Sequence, residues 1–155
     1  MKVDILIVHL NGEEIIRNCL KSIYKNTPEK IKFHIKLMLN NSKDNSEVII
    51  KEEFPNVEIT KTDKTIGFAQ ASNMLAKKSK AKYILFLNND VEVRKRWLDE
   101  MIKTIEKHKN CIACQPKVKS YYNQKMFEYA GACGGFIDKY GYPFCRGRIF
   151  GDIEE

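Results

Sequence analysis

No stretch of this 155-residue chain approaches the roughly 18 consecutive apolar residues of a membrane span. No cleavable leader is expected: Met1 leads directly into Val3–Val8, without the basic start and small-residue cleavage site of a signal peptide, so the expected location is the cytoplasm. There is no internal repeat, no low-complexity linker and no sign of a second domain. No GxGxxG follows the first apolar run and no GxxxxGK[ST] occurs anywhere, which excludes the dinucleotide fingerprint and the P-loop. Cysteine is scarce and odd in number, five in a lysine-rich chain, which predicts reduced thiols. Cys111 and Cys114 form a CxxC with neither a second pair nor a histidine at zinc spacing. Their neighbours Ile112, Ala113 and Pro116 suggest a buried strand and its end, hence core thiols.

What is present is a globular composition. Hydrophobic residues make up 43% and aromatics 10%, enough for a core and too much for a disordered tail. Lysine and arginine number 27 against 20 acids, giving a net charge of +7. That charge suits an anionic partner such as phosphate, nucleic acid or a membrane surface, without choosing among them.

Apolar runs alternate with amphipathic segments. Val3–Val8 reads as a strand bounded by Asn11-Gly12, and Ile15, Ile16, Cys19, Leu20 and Ile23 follow at helical spacing behind Glu13 and Glu14. Ile31–Leu39 predicts a second strand, with a helix beginning near Asp44 as N-cap. Val57–Thr60 predicts a third strand, and Gly67 opens a helix carrying Ala69, Ala71, Met74 and Leu75. Tyr83–Leu87 is a continuous apolar strand, Trp97, Met101, Ile102 and Ile105 mark a fourth helix, and Cys111–Val118 predicts a further strand. Beyond it the pattern is irregular and rich in glycine and aromatics; Tyr121, Tyr122, Phe127, Tyr140, Tyr142 and Phe144 read as packing residues or the lining of a cleft. Strands alternating with helices predict a mostly parallel α/β sheet covered on both faces, with ligands at the carboxyl ends of the strands. Four polar loops share that edge: His9 to Glu13, Leu39 to Asp44, Ile66 to Asn73 and Asn88 to Glu92.

The sharpest of them is Leu87-Asn88-Asn89-Asp90-Val91-Glu92, where a buried strand delivers one carboxylate to an open edge and a second two residues on. Small oxyphilic cations are often held by one or two protein carboxylates, with substrate phosphates and water completing the shell. Asp90 is therefore a candidate ligand and Glu92 a helper; the alternative is that Asp90 caps the following helix.

The ordered segments Val8-His9-Leu10-Asn11-Gly12, Asn40-Asn41-Ser42-Lys43-Asp44, Ile66-Gly67-Phe68-Ala69 and Leu87-Asn88-Asn89-Asp90 resemble the inverting glycosyltransferases of family 2. The stretch Gly131–Gly147, with Arg146-Gly147-Arg148, is similar to the branch that holds rhamnosyltransferase-like and other surface-polysaccharide enzymes. The resemblance implies a GT-A fold, a Rossmann-like parallel sheet with helices on both faces. It would occupy 1–155 as a C-terminally truncated single domain: a nucleotide-binding core over 1–118, then the start of the acceptor side over 119–155. It implies transfer of sugar from a UDP-, dTDP- or GDP-linked donor to a glycan or lipid-linked acceptor, with Mg²⁺ or Mn²⁺ as cofactor.

Residue by residue, the resemblance lays His9, Asn11 and Glu13 along the nucleoside and Asn41, Ser42 and Asp44 beside the base. Gly67, Phe68 and Ala69 bring backbone to the nucleotide, with Asn73 on the helix behind. Asn88, Asn89 and Asp90 take the DxD-like ribose and metal site. The alternative for His9 is a histidine satisfied by local backbone. Arg146 and Arg148 either assist at the diphosphate, as guanidinium forks suit phosphate oxygens, or are solvated loop charges. Leu39 stands where the family usually carries an aspartate that accepts a hydrogen bond from a pyrimidine base, and Leu10 where tyrosine is common.

The resemblance also implies that the catalytic base lies beyond residue 155, which leaves the catalytic residues unassigned. A partner supplying that portion, or a second copy of the chain, is expected on the apolar surface of 111–150. The rival readings are a non-catalytic scaffold, a split-enzyme half, and a nucleic-acid module suggested by Lys77, Lys78, Lys80 and Lys82; no recognised nucleic-acid signature is present, so no nucleic-acid partner is expected. Basic charge and lipid-linked acceptors together suggest a peripheral position at the inner membrane face.

Overall fold

In the computed structural model, which describes residues 2–128, 135–145, 148–149 and 152–153, the alternating pattern becomes a four-stranded parallel sheet. The elements are β1 (Lys2–His9), α1 (Glu13–Asn26), β2 (Lys32–Asn40), α2 (Ser46–Glu53), β3 (Glu58–Thr62), α3 (Phe68–Lys77), β4 (Tyr83–Asn88) and α4 (Trp97–Lys107). Strand order is β3-β2-β1-β4. The chain winds outward from β1 to β3 and then returns to pair β4 on the other side of β1. Such a reversal opens a crevice between β1 and β4 at their carboxyl ends, where the direction of winding changes.

Pleat parity sorts the core. On one face lie Val3, Ile5, Ile7 and His9 of β1, in register with Phe33, Ile35, Leu37 and Leu39 of β2. The α1 side covers this face, with the Tyr24 ring 5.6 Å from Phe33 and 5.8 Å from Phe54. On the opposite face Leu6 and Met38 pack with Ala71 and Leu75 of α3. Helices thus cover both faces, as expected. The exception is β4: its α3-facing residues Ile84 and Phe86 remain exposed. Phe86 is therefore not the core residue its apolar strand suggested.

The chain divides into two compact units, Met1–Asp99 and Glu100–Glu155. In the second, Cys111–Val118 does not form the expected strand. Ile112 is wholly exposed and Cys111 and Cys114 are half-buried, so neither is a core thiol. An apolar run makes a strand only where a neighbouring strand takes its hydrogen bonds, and among the described residues none pairs with this one. A single bridge, Lys119 to Phe127, follows. The unit also holds a hairpin of β5 (Gly135–Ile137) and β6 (Pro143–Cys145), and the short pair β7 (Arg148–Ile149) and β8 (Asp152–Ile153). In the hairpin turn the Asp138 carboxylate accepts the N–H groups of Tyr140 and Tyr142. Of the late aromatics, Phe127 is half-buried and Phe144 stacks on Phe136 with ring centroids 5.4 Å apart, whereas Tyr121, Tyr122, Tyr140 and Tyr142 are exposed and do not take the expected core packing role.

Candidate functional site

At the carboxyl edge of the sheet the crevice opens as a cleft of about 390 Å³ within the first unit. Its apolar wall is Val8, Leu10, Ile66 and Phe68; its polar wall is Asn40, Thr65, Asn88, Asn89 and Asp90. Asp90 is exposed and is the one carboxylate among these lining residues. It does not cap the next helix, because α4 begins only at Trp97. Glu92, the expected helper, is exposed too and is not among these lining residues.

Asn40 holds the β3–α3 loop in the manner of a peptide group. Its Nδ2 donates to the Ile66 carbonyl at 2.9 Å, and its Oδ1 accepts the Ile66 N–H at 3.0 Å and the Thr62 hydroxyl at 3.2 Å. This fixes Ile66 and Phe68 at the rim. Gly67 has an ordinary extended backbone, and a Cβ there would meet no protein atom within 4 Å. Space beside Gly67 is thus open on the protein side. The N-terminus of α3 has no acid in its first turn and no side-chain cap, whereas α1 has Glu13 and Glu14 and α2 has Glu47. Its positive pole is free to meet an anion.

The first two loops do something else. Asn11 and Gly12 have positive φ, 54° and 104°, and turn their N–H groups toward the second loop. The Asn11 N–H donates to the Ser42 hydroxyl at 3.2 Å, the Gly12 N–H to Asp44 Oδ2 at 2.6 Å, and the Lys43 N–H to Asn11 Oδ1 at 2.8 Å. Glu13 Oε1 accepts from the Asn45 N–H and side-chain amide, both at 3.2 Å. Asn41 donates to Thr65 Oγ1 at 3.2 Å. So Asn11, Glu13, Ser42 and Asp44, expected along the nucleoside and base, are spent on a latch between loops; none lines the cleft. Gly67, Ala69 and Asn73 are exposed near the start of α3 but outside the lining. Arg146 lies outside the described residues, and Arg148 is described only as backbone in β7.

His9 is corrected most sharply. Its ring has no exposed surface; Nε2 lies 2.9 Å from Ser46 Oγ and Nδ1 lies 2.8 Å from Asn89 Nδ2. With both nitrogens engaged it reaches no nucleoside. Burial lowers its pKa below the ordinary histidine value, with Asp44 pulling weakly the other way. Cys19 lies beneath the Asn88–Glu92 loop, its thiol 3.7 Å from the Asn88 carbonyl. Burial pushes this thiol up to about 12, against the Val91 N–H and aided by Asp90 and Glu92, so it stays protonated and is no nucleophile.

Burial opposes the charge of Asp44, but hydrogen bonds from the Ser46 hydroxyl and the Gly12 and Ser46 N–H groups outweigh it, with nearby His9 adding to them, and hold the carboxyl below its ordinary value. A depressed carboxyl contributes stability that is present above about pH 4 and lost as the pH falls through its native value. Asp44→Asn is expected to cost about 1–2 kcal/mol at neutral pH and to flatten the acid limb of stability. Urea midpoints measured from pH 7 down to pH 3 check both; an unchanged acid limb counts against the latch.

Among the described residues no three His, Cys, Asp or Glu side chains converge. Asp90 with the amide oxygens of Asn88 and Asn89 is a hard-oxygen donor set. It fits a Mg²⁺ or Mn²⁺ ion whose shell is completed by phosphate and water, and not a protein-caged metal.

The family profile described as "Glycosyl transferase family 2" matches residues 4–144. The chain is 26% identical over 149 residues to the O-antigen biosynthesis protein RfbC of Myxococcus xanthus, covering 94% of this chain and 11% of that protein. It is 27% identical over 106 residues to the glycosyltransferase AglE of Haloferax volcanii, covering 66% and 35%. It therefore spans about a tenth and about a third of these two relatives. Among solved structures, S. aureus TarS 1-349 superposes with a TM-score of 0.63 at 20% identity, over 77% of this chain and 40% of that one. The same protein is also solved with UDP and with UDP-GlcNAc. These likenesses show the GT-A type fold.

Proposed function

Because this chain belongs to glycosyl transferase family 2, we propose that it binds a nucleotide diphosphate-sugar together with Mg²⁺ or Mn²⁺ in the cleft between β1 and β4. Sugar would then pass, with inversion, to a glycan or lipid-linked acceptor. The observation that carries this reading is the cleft itself: an apolar wall, a lone rim carboxylate and an acid-free helix start meet in about 390 Å³. The wall of Leu10, Ile66 and Phe68 suits the base. Asp90 would hold the cation, which would neutralise phosphate charge, and the α3 start suits a phosphate oxygen. A departing nucleoside diphosphate gains negative charge, which such a cation stabilises. UDP bound by TarS supports a uridine nucleotide as the first to try.

Inverting transfer also needs a base within hydrogen-bond reach of the acceptor hydroxyl. No carboxylate besides Asp90 lines the cleft among the described residues, so the role proposed for this cleft is donor binding, with the base supplied from outside its described lining. Calorimetric titration of UDP, dTDP and GDP, each with and without Mn²⁺, tests the reading. One nucleotide is expected to bind at least about tenfold more tightly with the metal, a difference of ~1.4 kcal/mol. Failure of all three to bind at millimolar concentration in Mn²⁺ would overturn it.

A further inference from the structure

Strand β4 carries an uncovered face. Lys82, Ile84, Phe86 and Asn88 are exposed, in alternation with half-buried Tyr83, Leu85 and Leu87. Ile84, Phe86 and Asn88 lie in register with Asp4, Leu6 and Val8 of β1, on the face where α3 packs, and Lys82 continues the same parity. The rotation of α3 explains the gap. Lys78 Nζ reaches Thr60 Oγ1 of β3 at 3.4 Å, so that flank of the helix lies toward β3. At about 3.6 residues per turn the opposite flank, toward β4, carries Ala69, Ser72 and Ala76. Side chains this short leave Ile84 and Phe86 bare.

The same stretch holds charge of one sign. From Lys64 to Asn89 there are five lysines and neither an acid nor an arginine. Lys77, Lys80 and Lys82 are exposed at the amino edge of the sheet, where α3 ends and β4 begins. Asp4, in register with Ile84, is buried and accepts from the Ser79 hydroxyl at 2.7 Å, so it presents no carboxylate at this surface. At its other end the exposed column runs into the cleft, of which Asn88 is a lining residue.

We propose that this face of β4 docks on an anionic phospholipid surface, with Ile84 and Phe86 entering the interface and Lys77, Lys80 and Lys82 meeting lipid phosphates. Lysine suits that place, because its stem lies along apolar surface while the ammonium stays among the headgroups. A few apolar side chains or a few charges alone hold a bilayer weakly, and the two together hold it better. A second copy of the chain is a poorer occupant, since a face of one charge sign would meet itself. A nucleic acid would set Ile84 and Phe86 against phosphate and would find none of the arginine forks that suit it. With β4 on the bilayer, the cleft at the end of the column lies beside the lipid, which selects the lipid-linked acceptor over a free glycan. That consequence alone rests on the donor-binding reading.

Co-sedimentation with vesicles, without nucleotide or metal, tests the docking itself. The chain is expected to bind phosphatidylcholine vesicles holding about one-third phosphatidylglycerol at about 0.15 M salt, and not phosphatidylcholine alone. Ile84→Ala combined with Phe86→Ala is expected to weaken uptake about tenfold or more. Lys80→Gln combined with Lys82→Gln is expected to weaken it by about tenfold too. Lys21→Gln combined with Lys25→Gln removes the same charge from exposed positions of α1, which covers the other face. That pair should stay within about twofold of native. All six positions are exposed, so thermal midpoints near the native value are expected throughout. Absence of uptake on anionic vesicles, equal losses in the two lysine pairs, or uptake indifferent to the apolar pair would overturn the proposal. So would binding to duplex RNA in the same salt without uptake on vesicles. Uptake as expected in a protein that binds no nucleotide means that the donor-binding reading fails while the docking face stands.

Discussion

Replacing Asp90 with alanine is expected to abolish the strengthening of UDP binding by Mn²⁺ while leaving the thermal midpoint where it was. The two halves of this result have separate causes. Asp90 is exposed on the cleft rim and makes no hydrogen bond or ion pair to the described residues, so the fold loses nothing with it; surface changes of this kind stay within about 0.5 kcal/mol. A cation held by one protein carboxylate, in contrast, loses its only charged protein ligand. The metal-dependent gain of about tenfold or more should vanish. Asp90→Asn keeps an oxygen of the same reach without the charge and should fall between. Native protein treated with a chelator should match the alanine variant. Glu92→Gln, outside the cleft lining, should behave as native. An alanine variant that still binds UDP more tightly with Mn²⁺ would remove the metal from this site.

Leu37→Ala is expected to destabilise the chain by about 3 kcal/mol, within the ~2–5 kcal/mol seen when a buried leucine is truncated. Leu37 has no exposed surface and lies on the interior strand β2, between Ile7 of β1 and Ile59 of β3, on the face that α1 covers. Neighbours pinned in ladders on both sides collapse poorly into a vacated space, so the cavity persists and adds to the lost transfer energy. Phe86→Ala is the matched control. The ring is larger, but it is 56% exposed on β4, and its loss should cost about 0.5 kcal/mol or less. Urea unfolding monitored at a helix band gives both midpoints. A Phe86 variant as unstable as the Leu37 variant would mean that β4 is covered in solution.

Much of this molecule is legible locally. Alternation of apolar runs with amphipathic segments placed β1 to β4 and α1 to α4 within a few residues, since period and propensity act over single elements. The site edge followed from the same pattern, and Asp90 stood out because a greasy strand ends on it. Cys111–Val118 failed because an apolar run looks the same whether or not a partner strand exists to hydrogen-bond it.

Membership of the family and the polar edge of the sheet were in the sequence, because both depend on the order of residue types along the chain. Which residues of that edge face the cleft was decided only in three dimensions. His9 and Leu39 share one pleat face and turn inward under α1, while Val8 and Asn40, each a single residue away, turn to the cleft. Parity of two makes one position the whole difference. Likewise Asn11, Glu13, Ser42 and Asp44 are polar enough for any nucleotide, yet they meet each other first, across more than thirty positions of chain. Hydrogen-bonding groups take the partner that folding brings within reach, and no local pattern records that choice.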